Sequence, residues 1–196
     1  MKNKKLFAAA LTAALAVSMM GTSVMAYDGT TKFTYSPGTS GPTDPVDPAD
    51  PENDPNNWMV SYPRSIVLMD NNESDITNAA TKGQKLTFKV KQRVAGTDGD
   101  AVKAPNVGSG ITVAAGGWTS GTDILMTPST GSSQVNMNLA NADANKFLAP
   151  ADTMMTLTDT LATDDGFAVI KEGNVQTAVE GVTYTTNVTF SFTQTP

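Results

Sequence analysis

The chain has 196 residues and a formal net charge of −6, and it contains neither cysteine nor histidine. These absences exclude disulfides, thiol nucleophiles, imidazole bases and the commonest zinc ligands, and with them most catalytic arrangements. The acidic balance argues against nucleic acid and anionic lipid as partners. We therefore expect a noncatalytic protein without a cofactor.

Residues 1–26 have the pattern of a secretory signal peptide. A lysine-rich start precedes an apolar run from Leu6 to Met20, and Val24-Met25-Ala26 provides small residues before the expected cleavage point. The apolar run is too short to span a bilayer as a helix. The sequence predicts export, cleavage after Ala26, and no membrane span in the mature chain.

A short strand candidate follows at residues 27–36. Phe33 and Tyr35 share one face by alternation, and Thr31 begins this alternating stretch. An isolated strand is unstable in water because its backbone donors and acceptors have no partners. We interpret Thr31, Phe33 and Tyr35 as a strand-addition element that docks either on its own domain or on a neighbour's sheet.

Residues 37–57 form an Asp/Pro-rich linker in this interpretation. Prolines favour an extended path and the aspartates repel one another, so we expect a spacer. At about 3.1 Å per residue the linker reaches about 65 Å, which allows either mode of docking. The Asp-Pro pair recurs at Asp44-Pro45, Asp47-Pro48, Asp50-Pro51 and Asp54-Pro55.

Residues 58–196 carry the alternation of half-buried strands. Leu86, Phe88 and Val90 alternate with polar residues, and the strongest pattern runs from Val182 to Phe192. Such alternation is typical of antiparallel sheets. Weaker candidates are Ser65–Met69, Ile111–Ala115, Asp123–Met126, Gln134–Leu139, Thr153–Thr158 and Phe167–Lys171, with a helical turn or two over Ala140–Leu148. The sequence predicts an all-β, immunoglobulin-like antiparallel β-sandwich with a tethered N-terminal strand.

The order of these segments resembles that of the WxL-domain surface proteins of Gram-positive bacteria. The resemblance is carried by Phe33-Thr34-Tyr35-Ser36-Pro37-Gly38, by the linker run from Pro42 to Pro48, and by the closing run from Tyr184 to Thr193. It implies a β-rich domain that attaches noncovalently to the cell wall. It also implies peptidoglycan or another wall polymer, or other surface proteins, as partners.

The chain departs from the family at its signature motif. The final Trp-x-Leu falls at Phe190-Ser191-Phe192, and the earlier one falls near Leu86-Thr87-Phe88, without its tryptophan. If the tryptophans of the family contact the wall, these changes remove the contact; if they are core residues, phenylalanine replaces them at modest cost. Trp118, in a glycine-rich loop, and Trp58, at the start of the domain, are the candidate wall or ligand contacts.

The sequence therefore predicts a secreted protein of the bacterial cell surface that binds the wall or partner surface proteins without catalysis. The first alternative is a fibre or pilus-like subunit, in which the N-terminal strand of one copy completes the sheet of the next. A remote alternative is a glycan-active enzyme using the carboxylate pairs Asp98/Asp100 or Asp164/Asp165, although aspartates in such turns are mostly solvated.

Overall fold

The computed structural model describes residues 26–37, 58–92, 110–158 and 163–195. Strands dominate this part of the chain, so the predicted all-β class is confirmed. The strands are β1 (Ala26–Tyr35), β2 (Trp58–Ser61), β3 (Ser65–Leu68), β4 (Glu73–Ser74), β5 (Gln84–Gln92), β6 (Gly110–Gly116), β7 (Ile124–Pro128), β8 (Val135–Ala140), β9 (Thr153–Leu157), β10 (Thr163–Lys171) and β11 (Tyr184–Thr195). Short 3-10 helices lie at Asp70–Asn72, Ile76–Asn78 and Val175–Thr177, and α1 spans Ala79–Lys82. Residues 1–25 of the predicted signal peptide and residues 38–57 of the predicted linker lie outside the described residues.

The strands form one curled, mixed sheet. Its order is β2-β5-β10-β8-β7-β11-β1-β3, with β4 beside β10, and with β6 pairing both β11 and β9. Most pairs are antiparallel, whereas β1 with β3 and β10 with β4 are parallel. Strand β7 joins the two halves because it pairs with β8 on one side and with β11 on the other. The immunoglobulin-like arrangement of a sandwich stays a prediction.

The core lies between the two halves of the curled sheet. In β5, Leu86, Phe88 and Val90 are fully buried, and in β11 the same holds for Val188 and Phe190. The residues between them are exposed or part-exposed. The alternation seen in the sequence is thus the alternation between core and solvent.

Strand β1 is an interior strand of its own domain. Its register with β11 runs from Ala26 opposite Thr193 to Tyr35 opposite Tyr184, and its last residues pair with β3 on the other side. The observed strand extends on the N-terminal side of Thr31, the first of the strand-addition residues, because the pairing with β11 continues through Gly29. A Cβ at Gly29 would overlap the ring of Tyr62, so any other residue here would require that ring to move.

Two local predictions are wrong. Ala140–Leu148 does not form helical turns: the side chain of Asn141 accepts the N–H groups of Asn145 (3.1 Å) and Lys146 (3.2 Å), and an isolated bridge joins Ala140 to Phe147. These bonds close a loop instead, as asparagine side chains often do.

The predicted turn at Asp164-Asp165-Gly166 is part of β10, which pairs with β5 across this stretch. The carboxylate of Asp165 accepts hydrogen bonds from Lys85 (2.8 Å) and Thr87 (2.7 Å) on β5. Cross-strand partners therefore override the local turn preference of the sequence.

Truncation of Phe33 tests whether β1 belongs to the core. Phe33 is fully buried in the main hydrophobic cluster, so Phe33→Ala should lower the free energy of unfolding by about 3–5 kcal/mol, the range for such truncations. Thr30→Ala, at an exposed position of the same strand, should cost less than about 1 kcal/mol. Urea denaturation measures both values; a loss for Phe33→Ala no larger than that for Thr30→Ala would contradict the assignment.

Candidate functional site

The phenylalanines at the two positions that the sequence comparison aligned with Trp-x-Leu lie in the core. Phe190 and Phe192 are fully buried. The ring of Phe88, from the earlier motif position, meets Phe190 edge-on with centroids 5.1 Å apart and lies 6.2 Å from Phe192. The side chains at the two positions therefore pack against each other in the core, and they have no exposed surface with which to contact a ligand. The arrangement favours a packing role for both positions.

Trp118 is placed in the loop between β6 and β7, as predicted. Its ring is partly buried and packs against the main hydrophobic cluster, and its indole N–H donates to the carbonyl of Gly121 at 2.9 Å. The hydrogen-bonding group of the indole is thus used within the loop, which leaves the exposed part of the ring for contact with a ligand. Trp58 opens β2 and pairs with Gln92 of β5, so the two tryptophans belong to different halves of the sheet.

The strand-addition residues are all docked within the chain. Thr31, Phe33 and Tyr35 are fully buried. The hydroxyl of Thr31 donates to the carbonyl of Pro63, and that of Tyr35 donates to Asp70 at 2.8 Å. Burial, followed by the hydrogen bond to Asp70, raises the pKa of Tyr35 well above its usual range, so this hydroxyl stays a donor.

Tyr184 continues this contact into the rest of the domain. Its ring stacks on Tyr35 with centroids 6.0 Å apart, and its hydroxyl accepts the N–H of Val179 at 2.9 Å and hydrogen bonds Ser133 at 2.6 Å. The sequence pattern identified Tyr184 as a core residue but showed none of these partners. They tie the end of β1 to the loops before β8 and β11.

Asp165, a member of the predicted carboxylate pair Asp164/Asp165, forms an ion pair with Lys85 at 2.8 Å. Burial of Asp165 acts to raise its pKa, but the hydrogen bonds from Lys85 and Thr87 together outweigh burial, so the pKa is lowered. A general acid needs a raised pKa instead. Asp98 and Asp100 lie outside the described residues.

A polar depression on the surface is lined by Glu73, Asp75, Glu172, Ser74, Asn78 and Lys82. In the described ranges, no group of three or more acidic, histidine or cysteine side chains is placed to hold a metal ion. Among the same residues, no helix has the length and apolar character needed to cross a bilayer.

One outer face of the sheet is dominated by hydroxyl side chains, and we call it the threonine face. It is formed by the outward residues of β1, β11, β6 and β9, each of them exposed or part-exposed. Register brings Thr30 opposite Thr189, and Thr193 opposite Thr112, which is in turn opposite Thr156. The face comprises Asp28, Thr30, Lys32, Thr34, Thr112, Ala114, Thr156, Thr185, Asn187, Thr189, Ser191 and Thr193.

The threonine face is extended and nearly neutral. From a rise of about 3.3 Å per residue and a strand spacing of about 4.8 Å, it measures about 26 Å by 14 Å. Its charged members are Asp28 and Lys32, which have opposite signs, whereas the whole chain has a net charge of −6. Sequence alternation identified polar positions on single strands, but only the register shows that they form one surface.

The ion pair of Asp165 predicts a defined pH dependence of stability. Because folding lowers the pKa of this carboxylate below its ordinary value of 3.8, its stabilising contribution is present above the unfolded-state pKa and is lost as the pH falls through the lowered value. Between about pH 5 and pH 3, Asp165→Asn should therefore lose less unfolding free energy than the wild type. The difference should be less than about 1 kcal/mol because the ion pair is exposed to solvent.

Lys85→Gln removes the charged partner and should flatten the same part of the profile. Urea denaturation across this pH range measures the effect. Profiles of both variants that match the wild type would show that the pair makes no contribution.

Comparison with known proteins identifies no relative. No protein-family model matches the chain, and neither the curated proteins nor the solved structures include a match. The function is therefore argued from the residues, from their geometry and from the order of segments along the chain.

Proposed function

We propose that the mature chain is a secreted, noncatalytic protein of the bacterial cell surface that associates noncovalently with the wall. The observation that carries the proposal is the threonine face, a wide and nearly neutral surface of hydroxyl groups and methyl groups. The predicted signal peptide and the resemblance in segment order support export and a place at the wall. Partner surface proteins are the second class of ligand in this proposal.

The chemistry of the threonine face suits an extended polysaccharide. A threonine hydroxyl both donates and accepts hydrogen bonds, and the methyl group beside it offers apolar contact. Sugar rings present the same mixture of hydroxyl groups and C–H surface. Rows such as Thr193–Thr112–Thr156 cross neighbouring strands, so one polymer chain could contact several hydroxyls without any deep pocket.

Charge favours a neutral part of the wall over an anionic one. The chain is acidic, with a net charge of −6, so polymers rich in phosphate are repelled at low ionic strength. On the threonine face the charges of Asp28 and Lys32 balance. The preferred ligand in this proposal is accordingly the glycan backbone of peptidoglycan.

Paired substitutions of opposite charge test the proposal. Thr30→Arg/Thr193→Arg and Thr30→Glu/Thr193→Glu place bulk on two rows of the threonine face, and both should weaken retention on purified peptidoglycan about tenfold, the effect of roughly 1.4 kcal/mol. Pull-downs with intact walls and with peptidoglycan stripped of anionic polymers measure retention. If binding were to an anionic polymer, the arginine variant would bind intact walls better than the wild type, the glutamate variant would bind them worse, and the stripped peptidoglycan would retain none of the proteins.

Two further variants act as controls. Thr130→Arg changes an exposed residue in the turn between β7 and β8 and should leave retention unchanged. Trp118→Ala removes the partly exposed ring, and a complete loss of retention by this variant alone, with an unchanged melting temperature, would assign the contact to the loop and overturn the role of the threonine face. Failure of the wild-type chain to bind the wall in any form would overturn the proposal itself.

A further inference from the structure

We propose that β1 exchanges between copies of the mature chain, so that residues 27–35 of one molecule occupy the position between β11 and β3 of another. This inference goes beyond wall association and does not depend on it. It rests on the position of β1 in the sheet, on the contacts that the strand makes, and on the way in which it is joined to the domain.

Without β1, the sheet would contain a slot of defined shape. Strand β11 would lose the partner that pairs with it from Tyr184 to Thr193, and β3 would lose its parallel neighbour. The space filled by Phe33 and Tyr35 in the core would be open. Such a slot, with backbone groups on both sides and pockets for alternate side chains, is the kind of site that recognises an added strand.

Polar contacts specify the register of the strand in this slot. Asp28 accepts a hydrogen bond from Ser191 at 2.6 Å, and the N–H of Lys32 donates to the carbonyl of Arg64 at 2.9 Å. Gly29 lies under the ring of Tyr62, where any other residue would collide. A shift by one residue would expose Phe33 and place a polar neighbour in the core, so one register is strongly preferred.

The contacts of β1 described above all involve Tyr62 or residues that follow it in the chain. Any copy of the domain offers the same partners. With the predicted cleavage after Ala26, the remaining covalent connection of β1 to the domain runs through residues 36–57. A strand joined on one side alone can leave its slot and enter another without threading the chain through a loop.

Because docking within one chain and docking between chains make the same contacts, concentration decides between them. A strand that is covalently linked to its own binding site has an effective concentration on the order of 1 mM there. In dilute solution, β1 should therefore stay docked in its own domain, whereas chains concentrated on a surface should exchange it. Reciprocal exchange gives a closed pair, and exchange in one direction gives an open chain of copies.

Engineered disulfides test the exchange in the full mature chain, which contains no cysteine of its own. Thr30 of β1 and Thr189 of β11 lie opposite each other. Thr30→Cys and Thr189→Cys are made as separate proteins, one of them isotopically labelled, and mixed under mild oxidation at concentrations up to about 1 mM. A disulfide joining the two different proteins forms at this register only when β1 of one copy lies against β11 of another.

The matched control is a mixture of Thr34→Cys with Thr189→Cys. Thr34 pairs with Thr185, so these cysteines are four residues out of register, about 13 Å apart along the strand and beyond the reach of a disulfide. We expect at least about tenfold more mixed disulfide from the first mixture than from the control, with a yield that rises with protein concentration. Mass spectrometry separates the mixed product from disulfides between identical chains.

Joint refolding from urea removes any kinetic barrier to leaving the slot. If the first mixture gives no more mixed disulfide than the control after both native incubation and joint refolding, the exchange does not occur and the inference is overturned. Wall binding by the wild-type chain is measured separately and is unaffected by either result.

Discussion

The pairing of β1 with β11 and β3 is the constraint on which the rest of the structure depends. It places a strand that is separated in sequence from the other strands by residues 36–57 inside the sheet, where it contributes Thr31, Phe33 and Tyr35 to the core. Burial of two aromatic rings is worth several kcal/mol, a large part of the net stability of a domain of this size. The sheet is therefore complete only when this distant segment is in place.

The same pairing links the core to the proposed binding surface. On the inner side of β11, Phe190 meets Phe88 of β5, and Phe192 meets Tyr62 of the segment between β2 and β3. On the outer side, the same register aligns Thr30 with Thr189. Because side chains alternate between the two sides, the register that buries the aromatic residues also arranges the threonine face. A change in register would disrupt both.

Sequence reasoning identified the strands other than β2 and β4 because alternation is a local property, as the burial of Phe88 and Phe190 illustrates. It did not identify which strands are neighbours, so the site of β1 and the extent of the threonine face required the structure. The failures have specific causes: the side chain of Asn141 closes a loop where helix-forming residues predict a helix, and Lys85 and Thr87 hold Asp165 in a strand. Lys85 and Thr87 lie far from Asp165 in the sequence, and the loop depends on the single side chain of Asn141, so local sequence patterns do not show these contacts.

Amide hydrogen exchange of β1 in dilute solution tests the central claim most directly. If β1 is an interior strand of its own domain, the amides of its pairs with β11, such as those near Phe33 and Val188, should exchange at similarly slow rates set by unfolding of the whole domain. Rapid exchange throughout β1, while the amides that pair β6 with β11 still exchange slowly, would contradict the account. It would show that the sheet stands without this strand.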